Sequence, residues 1–335
     1  SLKKGIILFL GGEPLHAFLV GKRLGFPVMA YSERPSFLNR YFIYSLVPYD
    51  HVKKKLVKSG INSENIMITG NLTLGSINVS LTKDEALNLW GLSKDLFIVG
   101  LMPGSRPVLL KHALAYMMKV AEEVCKEVKA QFIVPLSPYI TIDKLKSSLG
   151  DTKNLMLEGS SGELNKDEYG FFINTAGNIK IRVVENNQYN VINCSDLIVS
   201  IPGTVTAEAA SLGIPSVVCY SYNKPEIIPV GGLPDLQRKI PLTGPLLKFI
   251  VWKLSQRLKF FAIPNIVAGE AVIPEIRVNY KAQEVSPVVV ELLLNSEKRK
   301  DISEKLKKLF MREGASQSLS DKVLEVLDNL NDKGE

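Results

Sequence analysis

The segment from Ser195 to Tyr220 constrains the fold of this 335-residue chain more than any other. Its sequence predicts a strand at Leu197–Ser200, a helix at Val205–Leu212 and a second strand at Ser216–Tyr220, joined by tight turns. Both apolar runs are short and end in turn residues, which is typical of buried strands in a parallel sheet. The segment therefore predicts an α/β fold whose ligands bind at the carboxyl ends of the strands.

The turn between the first of these strands and the helix is a candidate anion site. Gly203 would let a ligand approach the backbone closely, and Thr204 is a favourable N-cap residue. The free amides and the positive end of the helix dipole then attract a group such as a phosphate. Glu208, one turn into the helix, is a candidate ribose ligand, as acids near phosphate sites are in dinucleotide folds. The alternative is that Glu208 only complements the helix dipole.

Strands and helices alternate along most of the chain, which predicts two Rossmann-like domains. We expect an N-terminal domain at residues 1–85, a second domain at 86–290, and C-terminal helices at 291–335 of which the last packs back toward the first domain. The first unit is small for this fold, so an incomplete, truncated N-terminal domain is expected. Residues 159–177, rich in Gly, Ser, Asn and acids, predict a surface excursion.

Charge and composition narrow the classes of partner. The formal net charge of +7 favours nucleotides or an anionic membrane surface. Nucleic acid is not expected, because no basic stretch is interleaved with aromatic residues. The three cysteines lack paired spacing and predict buried thiols, and with only three histidines a histidine-based metal centre is not expected. No segment approaches the ~20 apolar residues of a membrane span.

Three motifs occur in an order and spacing that resemble one family. They are PGSR at 103–106, PGTVTAEAASLGIPSVV at 202–218 and IPNIVAGEAVIPEI at 263–276. Together they resemble the lipid-A-disaccharide synthases and their relatives, and the final GASQSLSDKVLEVL is similar to the closing helix of that family. The resemblance implies a GT-B fold, with two Rossmann-like domains facing across a cleft. It also implies an inverting glycosyltransferase that moves an N-acetylglucosamine-type sugar from UDP to a lipid-linked or glycolipid acceptor.

The resemblance also implies which residues bind the donor. Ser105 and Arg106 would contact the diphosphate of the UDP-sugar, and the amides of Gly203 and Thr204 would hold the same group without a metal ion or another cofactor. Glu208 would bind the ribose hydroxyls. The alternative for Arg106 is an ion pair with a surface acid.

Two asparagines are further candidates for the donor side. Asn265, together with Glu270, matches the segment of the family that lines the donor cleft, and Asn71 falls where the family has a Gly-His-Pro segment near the donor sugar. An asparagine in a loop can instead bond to its own turn, which is the alternative for Asn265.

The candidate catalytic base follows the first strand. An inverting transfer needs a group that takes the proton of the acceptor hydroxyl. The family has an aspartate at the place where this chain has Glu13, and His16 lies one turn further as an orienting group or an alternative base. Otherwise Glu13 only starts the helix whose first residue is Pro14.

The apolar and basic segment 246–261 is a candidate membrane contact, because such a helix can lie in an anionic interface. Its alternative is a partly buried helix whose cations extend over apolar surface. With the lipid acceptor, it predicts a cytoplasmic protein bound peripherally at the inner face of the membrane. The contact residues would be Leu246, Phe249, Trp252, Lys253, Arg257 and Phe260.

Two other functions remain open from the sequence. One is an epimerase that converts a UDP-sugar without an acceptor on the same fold. The other is a non-catalytic module that binds a nucleotide-sugar. A homo-oligomer is compatible with each of them.

Overall fold

The computed structural model describes residues 5–11, 14–33, 36–105, 107–150, 158–221, 253, 258–279, 281–310 and 314–332. The chain divides into two compact units. The first comprises residues 1–77 with 312–335, and the second comprises residues 78–311. Among the described helices, none combines the length and the apolar character needed to cross a membrane.

The N-terminal unit contains a four-stranded, fully parallel sheet in the order β1-β2-β3-β4. Short 3₁₀ turns at Phe37–Tyr41, Ser63–Asn65 and Leu74–Ser76 lie between its elements. The elements are β1 (Ile7–Phe9), α1 (Pro14–Leu24), β2 (Val28–Tyr31), β3 (Tyr44–Val47), α2 (Asp50–Lys58) and β4 (Ile66–Ile68).

The C-terminal unit carries most of the helices and an eight-stranded sheet. A 3₁₀ turn at Ala282–Glu284 precedes its last two helices. The elements are α3 (Lys83–Leu89), β5 (Phe97–Met102), α4 (Pro107–Val124), β6 (Ala130–Leu136), α5 (Ile142–Ser148), β7 (Gly162–Asp167), β8 (Gly170–Thr175), β9 (Lys180–Glu185), α6 (Gln188–Cys194), β10 (Leu197–Ser200), α7 (Thr204–Ser211), β11 (Ser216–Tyr220), α8 (Ile263–Ala268), β12 (Glu275–Arg277), α9 (Ser286–Leu294) and α10 (Ser296–Phe310).

The last helix, α11 (Ala315–Asp332), belongs to the first unit. Successive side chains of a strand point to opposite faces, so β2 is covered on both sides. Met29 and Tyr31 share a buried cluster with Leu319 and Val326 of α11. On the other face, Val28 and Ala30 pack with Ala17 of α1. The chain therefore returns to the N-terminal sheet at its end.

The boundary between the units lies after residue 77, eight residues before the predicted position. The reason is α3, whose Ala86 and Leu87 are buried with Ile98 of β5 and Val191 of α6. The helix therefore packs on the second sheet. The helices after residue 290 are also divided, since α10 lies in the second unit and α11 in the first.

The strand order of the second sheet indicates where a fold of this class binds its ligands. Six parallel strands lie in the order β9-β6-β5-β10-β11-β12. Numbered by their appearance in the chain, they read 3-2-1-4-5-6, which is the order of dinucleotide-binding folds. The order reverses between β5 and β10. The predicted α/β class with two Rossmann-like domains is confirmed.

The prediction of a surface excursion at residues 159–177 is wrong. This segment forms the antiparallel hairpin β7–β8, which extends the sheet beyond β9. Glu122 of α4 anchors the base of the hairpin, because its Oε1 accepts hydrogen bonds from Ser160 Oγ at 2.5 Å and Gly177 N at 2.8 Å. The polar composition of the segment gave no sign of strands. It is polar because β7 is an edge strand with much of its surface in solvent.

An ion pair between a buried arginine and a half-buried aspartate holds the tip of this hairpin. Arg182, 2% exposed, donates to both carboxylate oxygens of Asp167 at 2.8 and 2.9 Å. Lys180 Nζ contacts the same carboxylate at 2.7 Å. The hydrogen bonds from Arg182, followed by those from Lys180, hold the pKa of Asp167 well below its usual value.

The stabilisation from this pair depends on pH. A depressed pKa in the folded state gives stability that is present above the unfolded value, about 3.9 for aspartate, and is lost as the pH falls further. We expect Asp167→Asn to unfold at lower urea concentration than the wild type at pH 7, with a difference that shrinks as the pH falls below about 4. Urea titrations across this range measure it. A difference that stays constant with pH would contradict the assigned cause.

Candidate functional site

Two loops meet at the point where the strand order reverses. Residues 103–105 follow β5 and residues 201–203 follow β10, so both lie at the carboxyl edge. They touch each other, since a Cβ added to Gly104 would lie 3.0 Å from Ile201 Cδ1. Gly104 also has a φ of +91°, which favours glycine. The two motif loops are therefore neighbours at the position where this class of fold binds its ligand.

The loop after β10 ends at the N-terminus of α7. Gly203 is the N-cap residue and Thr204 is the first residue of the helix, with no side-chain capping bond. The prediction of Thr204 as N-cap is therefore wrong, because the helix begins one residue earlier than expected. The backbone of Gly203 is extended, and a Cβ added there would meet nothing within 4 Å. Neither conformation nor internal packing requires glycine here, which leaves open space in front of the helix amides.

Small side chains let α7 pack closely in the core. Ala207, Ala209 and Ala210 are buried. Thr206, 1% exposed, fixes the first turn, because its Oγ1 donates to Gly203 O at 2.8 Å and accepts from Ile263 N at 3.3 Å. The helix terminus is therefore held in place by α8 as well as by the sheet.

Glu208 lies in this helix and is only 6% exposed. Burial raises the pKa of its carboxyl, while a hydrogen bond from Gln188 Nε2 to Oε2 acts in the opposite direction. Gln188 was not identified from the sequence, although the three polar residues that follow β9, Asn186–Gln188, mark the carboxyl edge. A buried carboxylate with a neutral donor is not explained by the helix dipole, because the dipole acts on acids in the first turn.

Two buried hydroxyls lie at the same edge. Ser200 ends β10 and is fully buried, and Ser221, 8% exposed, follows β11. Neither Oγ has a hydrogen-bond partner among the described residues. Buried polar atoms nearly always have a hydrogen-bond partner. These two hydroxyls could therefore donate to or accept from a ligand bound at the carboxyl edge.

Asn265 is fully buried and used by its own loop. Its Oδ1 accepts from Val272 N at 2.8 Å and Ile273 N at 2.9 Å, and its Nδ2 donates to Ile273 O at 2.8 Å and Glu275 Oε1 at 2.9 Å. All four hydrogen-bond positions of the amide are therefore occupied. These bonds are the loop contacts that the alternative for Asn265 supposes, and its role as a substrate contact stays a prediction. Glu270, in the same loop, is exposed.

Asn71 lies at the carboxyl edge of the N-terminal sheet. Its Oδ1 accepts from Thr73 N at 2.9 Å, and its Nδ2 donates to Tyr49 Oη at 2.8 Å. Burial raises the pKa of Tyr49 to about 12, so the phenol stays protonated at neutral pH. His16 is exposed on α1, and Glu13 lies outside the described residues. The roles of Asn71, His16 and Glu13 stay predictions.

The remaining predicted site residues lie partly inside and partly outside the described ranges. Ser105 is exposed beside Gly104, whereas Arg106 lies outside the described residues. Of the predicted membrane contacts, Lys253 is exposed and Phe260 is half-buried with Lys259 Nζ 4.9 Å from its ring centroid. Leu246, Phe249, Trp252 and Arg257 lie outside the described residues. Across the described ranges, no group of three His, Cys, Asp or Glu side chains could hold a metal ion.

Sequence comparison relates the chain to one group of curated proteins. It is 27% identical to the lipid-A-disaccharide synthase of Geobacter sulfurreducens over 212 residues, 63% of this chain and 43% of the relative. It is 24% identical to that of Coxiella burnetii over 306 residues, 88% of this chain and 67% of the relative. The chain spans about half the length of the first curated relatives it matches. No family model matches it.

Solved structures share the fold at low sequence identity. The UDP-GlcNAc 2-epimerase of Neisseria meningitidis bound to UDP-GlcNAc matches with a TM-score of 0.58 at 14% identity, covering 96% of this chain and 76% of that one. The S. aureus MnaA–UDP co-structure matches with a TM-score of 0.59 at 12% identity and the same coverage. The predicted family resemblance is confirmed: this chain is similar in sequence to lipid-A-disaccharide synthases and has the fold of UDP-sugar enzymes.

Proposed function

We propose that this chain is the donor-binding part of an inverting glycosyltransferase that transfers a sugar from UDP to a lipid-linked or glycolipid acceptor. The observation that carries the proposal is the carboxyl edge at β5 and β10. There an open helix N-terminus, with Gly203 in front of it, is followed one turn later by the buried Glu208. The similarity to lipid-A-disaccharide synthases supports the reaction class.

The donor would bind through charge and hydrogen bonds of this edge. The amides at Gly203 and Thr204 face the diphosphate, and the positive end of the α7 dipole stabilises its charge. Arg106 adds a charge-assisted contact to the leaving UDP. Glu208 accepts hydrogen bonds from the ribose hydroxyls. Binding of this kind needs no metal ion or further cofactor.

The reaction then needs a proton acceptor. As the acceptor hydroxyl attacks the anomeric carbon, its proton passes to a base, the bond to UDP breaks and the configuration inverts. The family resemblance gives this role to Glu13, with His16 as the orienting or alternative group. Asn71 would stand near the donor sugar, and UDP would leave with the electron pair of the broken bond.

The partners follow from the proposed reaction. A lipid acceptor and a net charge of +7 favour a cytoplasmic protein at the inner face of an anionic membrane. Segment 246–261 would make that contact, no nucleic acid would bind, and homo-oligomers are compatible with the proposal. Flotation with vesicles that contain anionic lipid tests the membrane contact, with neutral vesicles as the comparison.

Gly203→Ala tests the anion site directly. The added methyl meets only open space, so we expect an unchanged melting temperature. Affinity for UDP should fall about tenfold or more, because the methyl would stand between the phosphate and the amides. Calorimetry with UDP measures the loss. Gly150→Ala, whose Cβ also meets nothing within 4 Å, is the matched control and should bind UDP as the wild type does. If Gly203→Ala binds UDP as tightly as Gly150→Ala, the assignment of the anion site to this turn is wrong.

A second candidate is an epimerase, which the fold of the UDP-GlcNAc 2-epimerase relatives favours. Incubation with UDP-GlcNAc alone separates the candidates: a new epimer of the sugar indicates the isomerase, whereas UDP release that requires a glycolipid acceptor indicates the transferase. UDP affinity without either product indicates a binding module. A protein that binds neither UDP nor UDP-GlcNAc would refute all three.

A further inference from the structure

Gln188 stands where two helices of the second unit meet. It is the first residue of α6 and follows the carboxyl end of β9, while Glu208 lies in the middle of α7. The two helices pack against each other. Their contact places the neutral amide of Gln188, which follows β9, against the carboxylate of Glu208, which follows β10. These two strands lie on opposite sides of the reversal of strand order.

The hydrogen bond between them uses one oxygen of the carboxylate. Gln188 Nε2 donates to Glu208 Oε2. Within the described ranges, no residue donates a hydrogen bond to Oε1 of Glu208. The side chain as a whole is only 6% exposed, so its accessible part is narrow. Among the described residues, Gln188 therefore holds one oxygen, and the other keeps its capacity to accept a hydrogen bond from a ligand.

This arrangement has two physical consequences. A free glutamate side chain rotates about three bonds, and fixing it costs entropy that a ligand would otherwise have to supply. The bond from Gln188 fixes it before the ligand arrives. Burial by itself favours the neutral carboxylic acid, and the donor from Gln188 opposes that tendency. The bond therefore orients the carboxyl group and opposes part of the effect of burial on its pKa.

We propose that Gln188 is the positioning residue that turns Glu208 toward the ribose of the bound nucleotide and so determines selection for ribose over deoxyribose. The inference rests on the proposed function. Gln188 touches Glu208 and acts through it, and nothing in the motifs of the chain identifies it. A neutral donor suits this task. A cation would neutralise the negative charge of the carboxylate, which strengthens its hydrogen bonds with the ribose hydroxyls.

The test compares UDP-GlcNAc with its 2′-deoxyribose form by calorimetry. We expect the wild type to bind the ribose form about tenfold more tightly, since a hydrogen bond to a charged group is lost in the deoxy form. Gln188→Met keeps the size of the side chain and removes the donor. Its discrimination ratio should fall to between one and about threefold, with most of the loss in affinity for the ribose form. Gln188→Asn, which keeps the amide but shortens its reach, should give an intermediate ratio.

Gln131→Met is the matched control. Gln131 bonds to Ser93 at the opposite, amino end of the sheet, with Nε2 at 2.8 Å from Ser93 O. We expect this variant to keep the wild-type ratio, and melting temperatures of all variants show whether each is folded. Equal losses for both ligands in Gln188→Met, or an unchanged ratio, would overturn the inference while leaving the proposed function standing. A wild type that binds neither ligand would overturn both.

Discussion

Replacing Glu208 by glutamine should lower affinity for UDP-GlcNAc by about tenfold to a hundredfold. The substitution keeps the shape of the side chain but removes the charge that accepts the ribose hydroxyls, and a hydrogen bond to a charged group contributes about 1.5–3 kcal/mol. The buried position strengthens the effect, because the site is only 6% exposed and water cannot replace the lost contact. Calorimetry with wild type and variant at the same pH and salt measures the change.

Glu123 provides a matched control for this result. It lies on α4 and is 7% exposed, close to the burial of Glu208, but it pairs with Lys126 Nζ at 2.7 Å. Glu123→Gln should therefore reduce stability with little effect on UDP-GlcNAc affinity. If Glu208→Gln binds the donor as tightly as the wild type, Glu208 is not a ribose ligand, and the buried acid requires another explanation.

Replacing Asn265 by alanine should destabilise the second unit by about 3–5 kcal/mol. Three backbone groups, the amides of Val272 and Ile273 and the carbonyl of Ile273, would lose their partner, and each buried unpaired group costs about 1–3 kcal/mol. Some of this cost is recovered if water enters the cavity. Urea unfolding followed by circular dichroism measures the loss.

The same variant distinguishes a structural residue from a ligand. At a temperature where Asn265→Ala is still folded, we expect its affinity for UDP-GlcNAc to stay within about threefold of the wild type. Asn190→Ala is the comparison, because Asn190 is also buried and accepts from Ser80 N and Leu81 N at 3.0 Å. A folded Asn265→Ala that loses binding while Asn190→Ala keeps it would support the predicted substrate contact.

Local patterns predicted much of the fold. The bounds of β10 and β11 agree with those expected from their apolar runs and flanking turns. The hairpin β7–β8 was missed, because its edge strand β7 is largely polar and lacks apolar periodicity. The start of α7 was predicted one residue too late, at Val205 instead of Thr204. Helix ends vary by one or two positions with their surroundings.

The candidate site divides in the same way. Gly203 and Glu208 were predicted because a strand, a turn and a helix in immediate succession carry their own geometry. Gln188 was not, because twenty positions separate it from Glu208 and only the packing of α6 on α7 joins them. The contacts of Asn265 were not predicted residue by residue, because its partners Val272, Ile273 and Glu275 come near only when the loop after α8 closes on itself.

The sequence by itself determined the α/β class, the strand–turn–helix unit that carries the candidate anion site, and the family that the chain resembles. These depend on residues within one strand–turn–helix unit, where steric and hydrogen-bonding preferences act over a few positions. Only the tertiary structure decided which strands adjoin at the reversal of strand order, which polar groups are buried, and which of them remain accessible to a ligand. Burial and long-range pairing set the energy of a polar side chain, and neither is encoded within one segment of the chain.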